Sequence, residues 1–228
     1  LLATLQLADS AFPAGLYAFS HGLETAAQEG HVRTAEDLER FVADWLAWQV
    51  GPGDSVVVAA SHRAAARGDL AELMEIDRYN AATKLPREAR ESSTKTGARL
   101  LATAVLISPE GQTAQVLNAF HQAVRDGSSP GTYAAAFGAA TASSGVACES
   151  ALLAELHGAA TSILGAALRL LRIDHQQTQI LLRRLAPLLT KIAAQAQRTA
   201  WTAIRPTASF TEILQMRHEA AHVRLFMS

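Results

Sequence analysis

Thr34-Ala35-Glu36-Asp37-Leu38-Glu39-Arg40-Phe41-Val42-Ala43-Asp44-Trp45-Leu46-Ala47-Trp48-Gln49 is the stretch whose reading decides the fold. Thr34 and Asp37 stand three residues apart, the spacing at which a hydroxyl and a carboxylate cap the first turn of a helix reciprocally. Leu38, Phe41, Val42, Trp45, Leu46 and Gln49 then recur at intervals of three and four, one face of a helix, with charged residues between them. The segment is an amphipathic helix, and Gly51-Pro52-Gly53 is expected to stop it.

The same pattern repeats outward from it. A second helix is expected over 54–67, ending at Gly68, where a residue without Cβ can take the left-handed position, and a shorter one over 69–79. Pro86 suits a first helical turn and opens a long helix over 86–106, which Ser108-Pro109-Glu110-Gly111 closes; another covers 112–125. Gly127-Ser128-Ser129-Pro130-Gly131 is the clearest turn and the only candidate domain boundary, and it is not taken as one. Residues 132–143 and 149–171 are rich in alanine, and with Gly138, Gly145, Gly158 and Gly165 they suit close helix packing at the centre of a bundle. Asp174 caps a helix running through Leu185, where Pro187 should kink or restart it, and Ser209 with Glu212 forms a second capping box for a last helix reaching about 223. The longest β-branched run is Val56-Val57-Val58. The fold class is all-α, a single-domain bundle of about eight to ten helices spanning 1–228.

Composition narrows the function. Among 228 residues, 20 Lys+Arg balance 21 Asp+Glu for a net charge of -1, which lacks the basic excess that gripping nucleic acid or an anionic membrane requires. Apolar residues make up 49%, enough for a packed core and too many for a disordered chain. The lone Cys148 forms no internal disulfide or thiolate cluster, which points to a reducing, cytoplasmic setting. No uncharged apolar run reaches the ~18 residues that span a bilayer, since Arg169 interrupts the best one; no signal peptide is expected from the first residues, which lack a basic region followed by an apolar one.

Chemistry-bearing motifs are few. His218-Glu219-Ala220-Ala221-His222 matches H-E-x-x-H, which on a helix can put two zinc ligands and a general base on one face. It lacks a third ligand, because residues 223–228 contain no His, Asp or Glu, and the substrate-binding sheet of zinc peptidases is not expected here. An exposed or interface face of the last helix is the plainer reading. His21, His31, His62, His121, His157 and His175 are scattered without ligand spacing, and neither a nucleophile elbow nor a phosphate-binding glycine loop occurs. Arg87, Glu88, Arg90 and Glu91 read as a solvated helix face that could equally dock a partner. Residue chemistry alone therefore assigns no catalytic and no metal-binding residues, leaving a zinc-binding protein or a generic helical dimerisation module as alternatives to any more specific role.

One segment goes further. In Leu5-Gln6-Leu7-Ala8-Asp9-Ser10-Ala11-Phe12-Pro13-Ala14-Gly15-Leu16-Tyr17-Ala18-Phe19-Ser20-His21-Gly22-Leu23-Glu24, a Pro-x-Gly turn leads through an aromatic pair to a Ser-capped helix, more local constraint than a loop needs, although a strap packed over the bundle would also fit. The string resembles the N-terminal signature of the urease accessory protein family UreF: Leu-Gln-Leu, then Pro-x-Gly, aromatic and Ser residues, and Gly-Leu-Glu. Leu16 and Ala18 depart from the small polar or aromatic residues common there. Arg87-Glu88-Ala89-Arg90-Glu91-Ser92 leading to Gly97-Ala98-Arg99-Leu100-Leu101, the small-residue run 133–145, and Met216-Arg217-His218-Glu219 with Arg224-Leu225-Phe226-Met227-Ser228 agree in order and spacing, so the resemblance covers essentially the whole chain. The family carries His-Glu in its tail, which accounts for the apparent zinc motif.

The resemblance implies an all-helical, usually dimeric, non-enzymatic helper in urease maturation. It implies a scaffold joining UreD (also called UreH) and the GTPase UreG so that nickel enters the urease apoenzyme, with GTP hydrolysis by UreG modulated. Nickel and GTP would be handled by those partners, with no cofactor bound by this chain. Expected docking residues are Pro13, Gly15, Tyr17, Ser20, His21 and Glu24 in the N-terminal segment, and Arg217, His218, Glu219, Arg224, Leu225 and Phe226 in the tail. Tyr17 is the best single anchor, an amphipathic ring at a turn. The tail is expected on UreD, with Leu225 and Phe226 as apolar anchors and Arg224 as a charged one; the alternative is that it merely seals the bundle.

Overall fold

The capping pair at Thr34 forms as expected: the Asp37 amide donates to Thr34 Oγ1 at 3.1 Å and the Thr34 amide donates to Asp37 Oδ2 at 3.0 Å. Behind it runs α3 (Ala35–Trp45), with Leu38, Phe41, Val42 and Trp45 buried. A computed structural model describes residues 1–9, 11–15, 19–221 and 224–226. The other helices are α1 (Leu2–Ala8), α2 (Leu23–Gln28), α4 (Val56–Arg67), α5 (Leu70–Thr83), α6 (Arg87–Ile107), α7 (Gln112–Arg125), α8 (Tyr133–Ser143), α9 (Cys148–Leu170), α10 (His175–Arg198) and α11 (Ser209–Glu219). The fold is all-α, without a strand among the described residues.

Gly51-Pro52-Gly53 does not stop the first long helix. The segment Leu46–Ser55 winds as a π-helix, and residues 35–67 form one continuous rod. With that rod counted once, the described residues form ten helices and one 3-10 turn, Trp201–Ala203. Proline leaves the carbonyl four residues back without its donor, normally ending a helix. Here donors from outside the helix support the passage: the Thr207 amide donates to the Trp48 carbonyl at 2.8 Å, and the Arg205 amide to the Pro52 carbonyl at 3.3 Å. Gly51 is required by packing: a Cβ there would lie 2.8 Å from Ile192 Cγ2 and 3.0 Å from the Leu46 carbonyl.

At the centre lies α8, in which every residue from Ala134 to Ser143 is buried. It packs chiefly on α4 and α6. A Cβ on Gly138 would come within 2.5 Å of the Val58 carbonyl, so glycine sets how closely α8 approaches α4. Gly97 on α6 abuts the Gly131–Thr132 backbone in the same way. The expectation fails for Gly158 and Gly165, which have nothing within 4 Å of a Cβ position, while Gly145 takes the left-handed conformation (φ 67°) just after α8. Entry into α8 is fixed by buried Asp77, whose carboxylate accepts from the amides of Gly131 and Thr132, each at 2.7 Å, and from the hydroxyls of Ser129 and Thr132.

Three further expectations change. Helix α9 is long and apolar enough to cross a membrane, with a mean hydropathy of 1.4 in its best window, but half of that window is buried against the other helices. Helix α10 runs through Pro187 to Arg198 without restarting, because Pro187 is exposed and water can satisfy the carbonyl it leaves free. Asp174 caps it as expected, and Gln177 completes a capping box not expected from the sequence. Helix α11 starts one residue earlier than its sequence suggests: Ala208 is the N-cap, Ser209 is already helical, and no side chain caps this end. It ends at Glu219; Val223, the expected end, lies outside the described residues.

Candidate partner-binding site

The start of α2, the first turn of α6 and the end of α11 meet at one place, bringing residues about 130 and 200 positions apart into one hydrogen-bonded cluster. At α2, Gly22 takes φ 87° at the N-cap, and a Cβ there would sit 3.2 Å from the Thr211 carbonyl and 3.3 Å from Leu214 Cβ. Glycine thus serves twice, for the left-handed turn and for contact with α11. Ser20 is two residues before the N-cap, and its buried hydroxyl accepts from the Glu24 amide at 3.4 Å.

Glu24 is 0% exposed. Its carboxylate accepts from the Leu225 amide at 2.7 Å, from the Phe226 amide at 3.1 Å, and faces His218 Nε2 at 3.0 Å. On its other side His218 Nδ1 lies 2.9 Å from Glu88 Oε2, and Arg224 closes the network on Glu88 Oε1. Each imidazole nitrogen therefore faces a carboxylate, and Arg224 sits on the second of them, in a site where an unpaired charge would be costly. Around this buried centre Glu219 accepts from the Glu88 amide at 3.1 Å, at the positive end of α6, and Arg217 Nη1, exposed, donates to both Glu29 carboxylate oxygens at 2.8 and 3.0 Å. Phe226 is buried, with the Arg169 guanidinium 5.5 Å over its ring.

The expected docking residues divide accordingly. Ser20, Glu24, His218 and Phe226 are buried inside the chain and make internal contacts, so the expected role of Phe226 as an outward anchor does not match its position. Leu225, at 65% exposed, projects outward, and Arg217 and Arg224 reach solvent. Pro13 is exposed; Gly15 takes φ 82° with its open side toward Arg99 Nη1. His21 is half-buried at φ 51°, its ring 4.7 Å from Trp45, and burial lowers its pKa to about 4. Tyr17, with Leu16 and Ala18, lies outside the described residues, as does His222.

The zinc reading of the tail loses its geometry. Both His218 nitrogens are engaged by carboxylates, Glu219 bonds α6, and the helix ends before 222. Among the described residues no three His, Cys, Asp or Glu side chains converge to hold a metal. The inward turn of Glu88, read as a solvated residue, and the pairing of Glu29 with Arg217 are not visible from the sequence pattern. A signal exists only in the N-terminal segment, where Glu24 and Glu29 stand with no Lys or Arg before Arg33, whereas Arg87, Glu88, Arg90 and Glu91 are balanced.

Beside the cluster, α11 and the tail leave Phe210, Ile213, Met216 and Leu225 each more than 40% exposed. Exposed large apolar side chains next to a polar rim are the usual composition of a protein-binding surface.

A family model described as UreF matches residues 32–186. The chain belongs to the UreF family. Among its UreF relatives, a urease accessory protein UreF 2 of Brucella canis is 33% identical, with the alignment covering 100% of this chain and 92% of the relative. A urease accessory protein UreF of Trichodesmium erythraeum is 33% identical over 99% of this chain and 95% of its own, and one of Yersinia enterocolitica is 29% identical over 99% and 97%. These UreF alignments extend past the matched family region at both ends, into the segments that form the Glu24–His218 cluster.

Proposed function

We propose that this chain is a non-enzymatic scaffold of urease maturation, acting in the cytoplasm as a homodimer. It joins UreD (UreH) to the GTPase UreG, modulates GTP hydrolysis by UreG, and so supports delivery of nickel into the urease apoenzyme, the nickel and nucleotide being carried by the partners. The observation that carries the reading is the convergence of the N-terminal segment, α6 and the tail on one buried charge cluster beneath an exposed apolar row. Glu24 fixes the tail by its main chain, so the side chains at Leu225 and along α11 are presented rather than consumed. UreD docks on this row, with Leu225 as anchor and Arg217 and Arg224 at its rim, a layout in which an apolar centre supplies affinity and charges supply register. The N-terminal segment around Pro13, Gly15 and Tyr17 forms the second docking surface.

The test is co-purification of the tagged chain with the UreD and UreG homologues of its genome, with and without GTP and nickel, read by light scattering and metal analysis. A ternary complex whose nickel follows UreG is the expected result. Failure to capture either partner would overturn the reading.

A further inference from the structure

A groove of about 450 Å³ opens between α3 and the start of α11. Its floor is apolar, with Val32, Phe41 and Ala208 buried. Two aromatic rings line it and still face water: Trp48, from the rod of residues 35–67, is 58% exposed, and Phe210, from α11, is 53% exposed. The fold holds both in place. The Thr207 amide is bonded to the Trp48 carbonyl at 2.8 Å, and the His31 ring stands edge-on to Phe210 at 5.3 Å. Large rings kept at a preformed groove have the profile of anchors for a partner's side chain.

The charges around the groove define what fits it. Asp37 is spent within α3, on the helix cap and on Arg40, and His31 faces Glu29 at 3.3 Å. Asp44 lines the same groove and has no hydrogen-bond or ion-pair partner among the described residues. The uncommitted charge is therefore negative. It stands about one helical turn before Trp48, so a cation paired with Asp44 also meets the indole face.

Continuity identifies the occupant. Phe210 belongs both to this groove and to the exposed row of Phe210, Ile213, Met216 and Leu225, so groove and row form one surface. Four side chains of that row supply only part of the roughly 800 Å² that a stable complex buries on each partner, and the groove extends it. Resting on the reading that UreD docks on the row, we propose that the groove is the second half of the same interface. It receives a segment of UreD that sets a large apolar side chain against Trp48 and Phe210 and a lysine or arginine on Asp44.

The test measures UreD capture by the full chain and by Trp48→Ala, Asp44→Lys and Leu225→Ala, each first checked for an unchanged thermal midpoint. Trp48→Ala and Asp44→Lys should each weaken capture at least tenfold, and added salt should lessen the second loss but not the first. A photo-crosslinker, p-benzoylphenylalanine in place of Ser209, should label a UreD peptide with a large apolar residue beside a lysine or arginine. Changing that basic residue to glutamate should restore capture by Asp44→Lys. Capture lost in Leu225→Ala but unchanged in Trp48→Ala and Asp44→Lys would overturn the groove and leave the row standing. Crosslinks to UreG or to a second copy of this chain would also overturn it. No capture by the unsubstituted chain would overturn the row, and the groove with it.

Discussion

A carboxylate with no access to water has to find its hydrogen-bond donors inside the protein, and Glu24 finds the amides of Leu225 and Phe226 and a ring nitrogen of His218. Removing the imidazole leaves two buried carboxylates, Glu24 and Glu88, each short of a hydrogen-bond partner. His218→Ala is therefore expected to lower stability by at least about 2 kcal/mol, given roughly 1–3 kcal/mol for each buried polar group left unsatisfied. Arg217→Ala removes an exposed pair and should change stability by less than about 1 kcal/mol. Urea unfolding of the two variants checks the contrast, and equal losses would show that the buried cluster is not under electrostatic control. Two other residues set a pH dependence. Glu155 has its folded pKa raised from 4.5 to about 8, so the folded state holds its proton more tightly and stability falls as pH rises between those values, by roughly 1.4 kcal/mol per unit. His21 has its pKa lowered from 6.5 to about 4, so its contribution to stability is lost as pH falls through that interval. The unfolding midpoint of Glu155→Gln, measured from pH 5 to 9, should lack the alkaline decline that the unsubstituted chain shows.

At the scale of single elements, glycine separates helices that must touch from those that need not. Gly138→Ala would push a Cβ into the Val58 carbonyl at 2.5 Å, backbone that cannot move without parting α8 from α4, and is expected to cost at least about 1–3 kcal/mol. Gly165→Ala adds a methyl where nothing lies within 4 Å and should stabilise α9 by up to about 1 kcal/mol through helix propensity alone. Thermal unfolding distinguishes them by the sign of the shift. Gly138 and Gly165 look alike in the sequence because composition does not show which face of a helix a glycine occupies. The Thr34–Asp37 box was legible because both partners lie within one turn. The π-helical passage through Pro52 was not, since the donors that make it tolerable come from residues 205 and 207, about 150 positions away. The ends of α7, at Gln112 and Arg125, were legible because Gly111 and the 127–131 turn mark them locally.

For the whole molecule, the tail is where folding and partner capture can be separated. Phe226→Ala removes a buried ring and should cost roughly 3 kcal/mol. Leu225→Ala, at an exposed position, should leave stability within about 0.5 kcal/mol yet weaken UreD capture at least tenfold. Unfolding curves and pull-downs on both variants check this, and unchanged capture by Leu225→Ala would remove the tail from the docking surface. The sequence put these segments forward but could not sort their residues into inward and outward ones. His218 meets partners 194 and 130 positions away, and no spacing rule joins residues so distant. Resemblance named the tail; burial assigns His218 and Phe226 to the interior and Leu225 to the surface.

The grip of Glu24 on the amides of Leu225 and Phe226 reads no side chain. Any residue other than proline at these two positions would offer the same N–H groups. A lineage can therefore rewrite the lettering of its tail to follow a changing partner while the knot that fastens the tail stays tied. The substitutions that undo it are proline at 225 or 226 and the loss of the single carboxylate at 24.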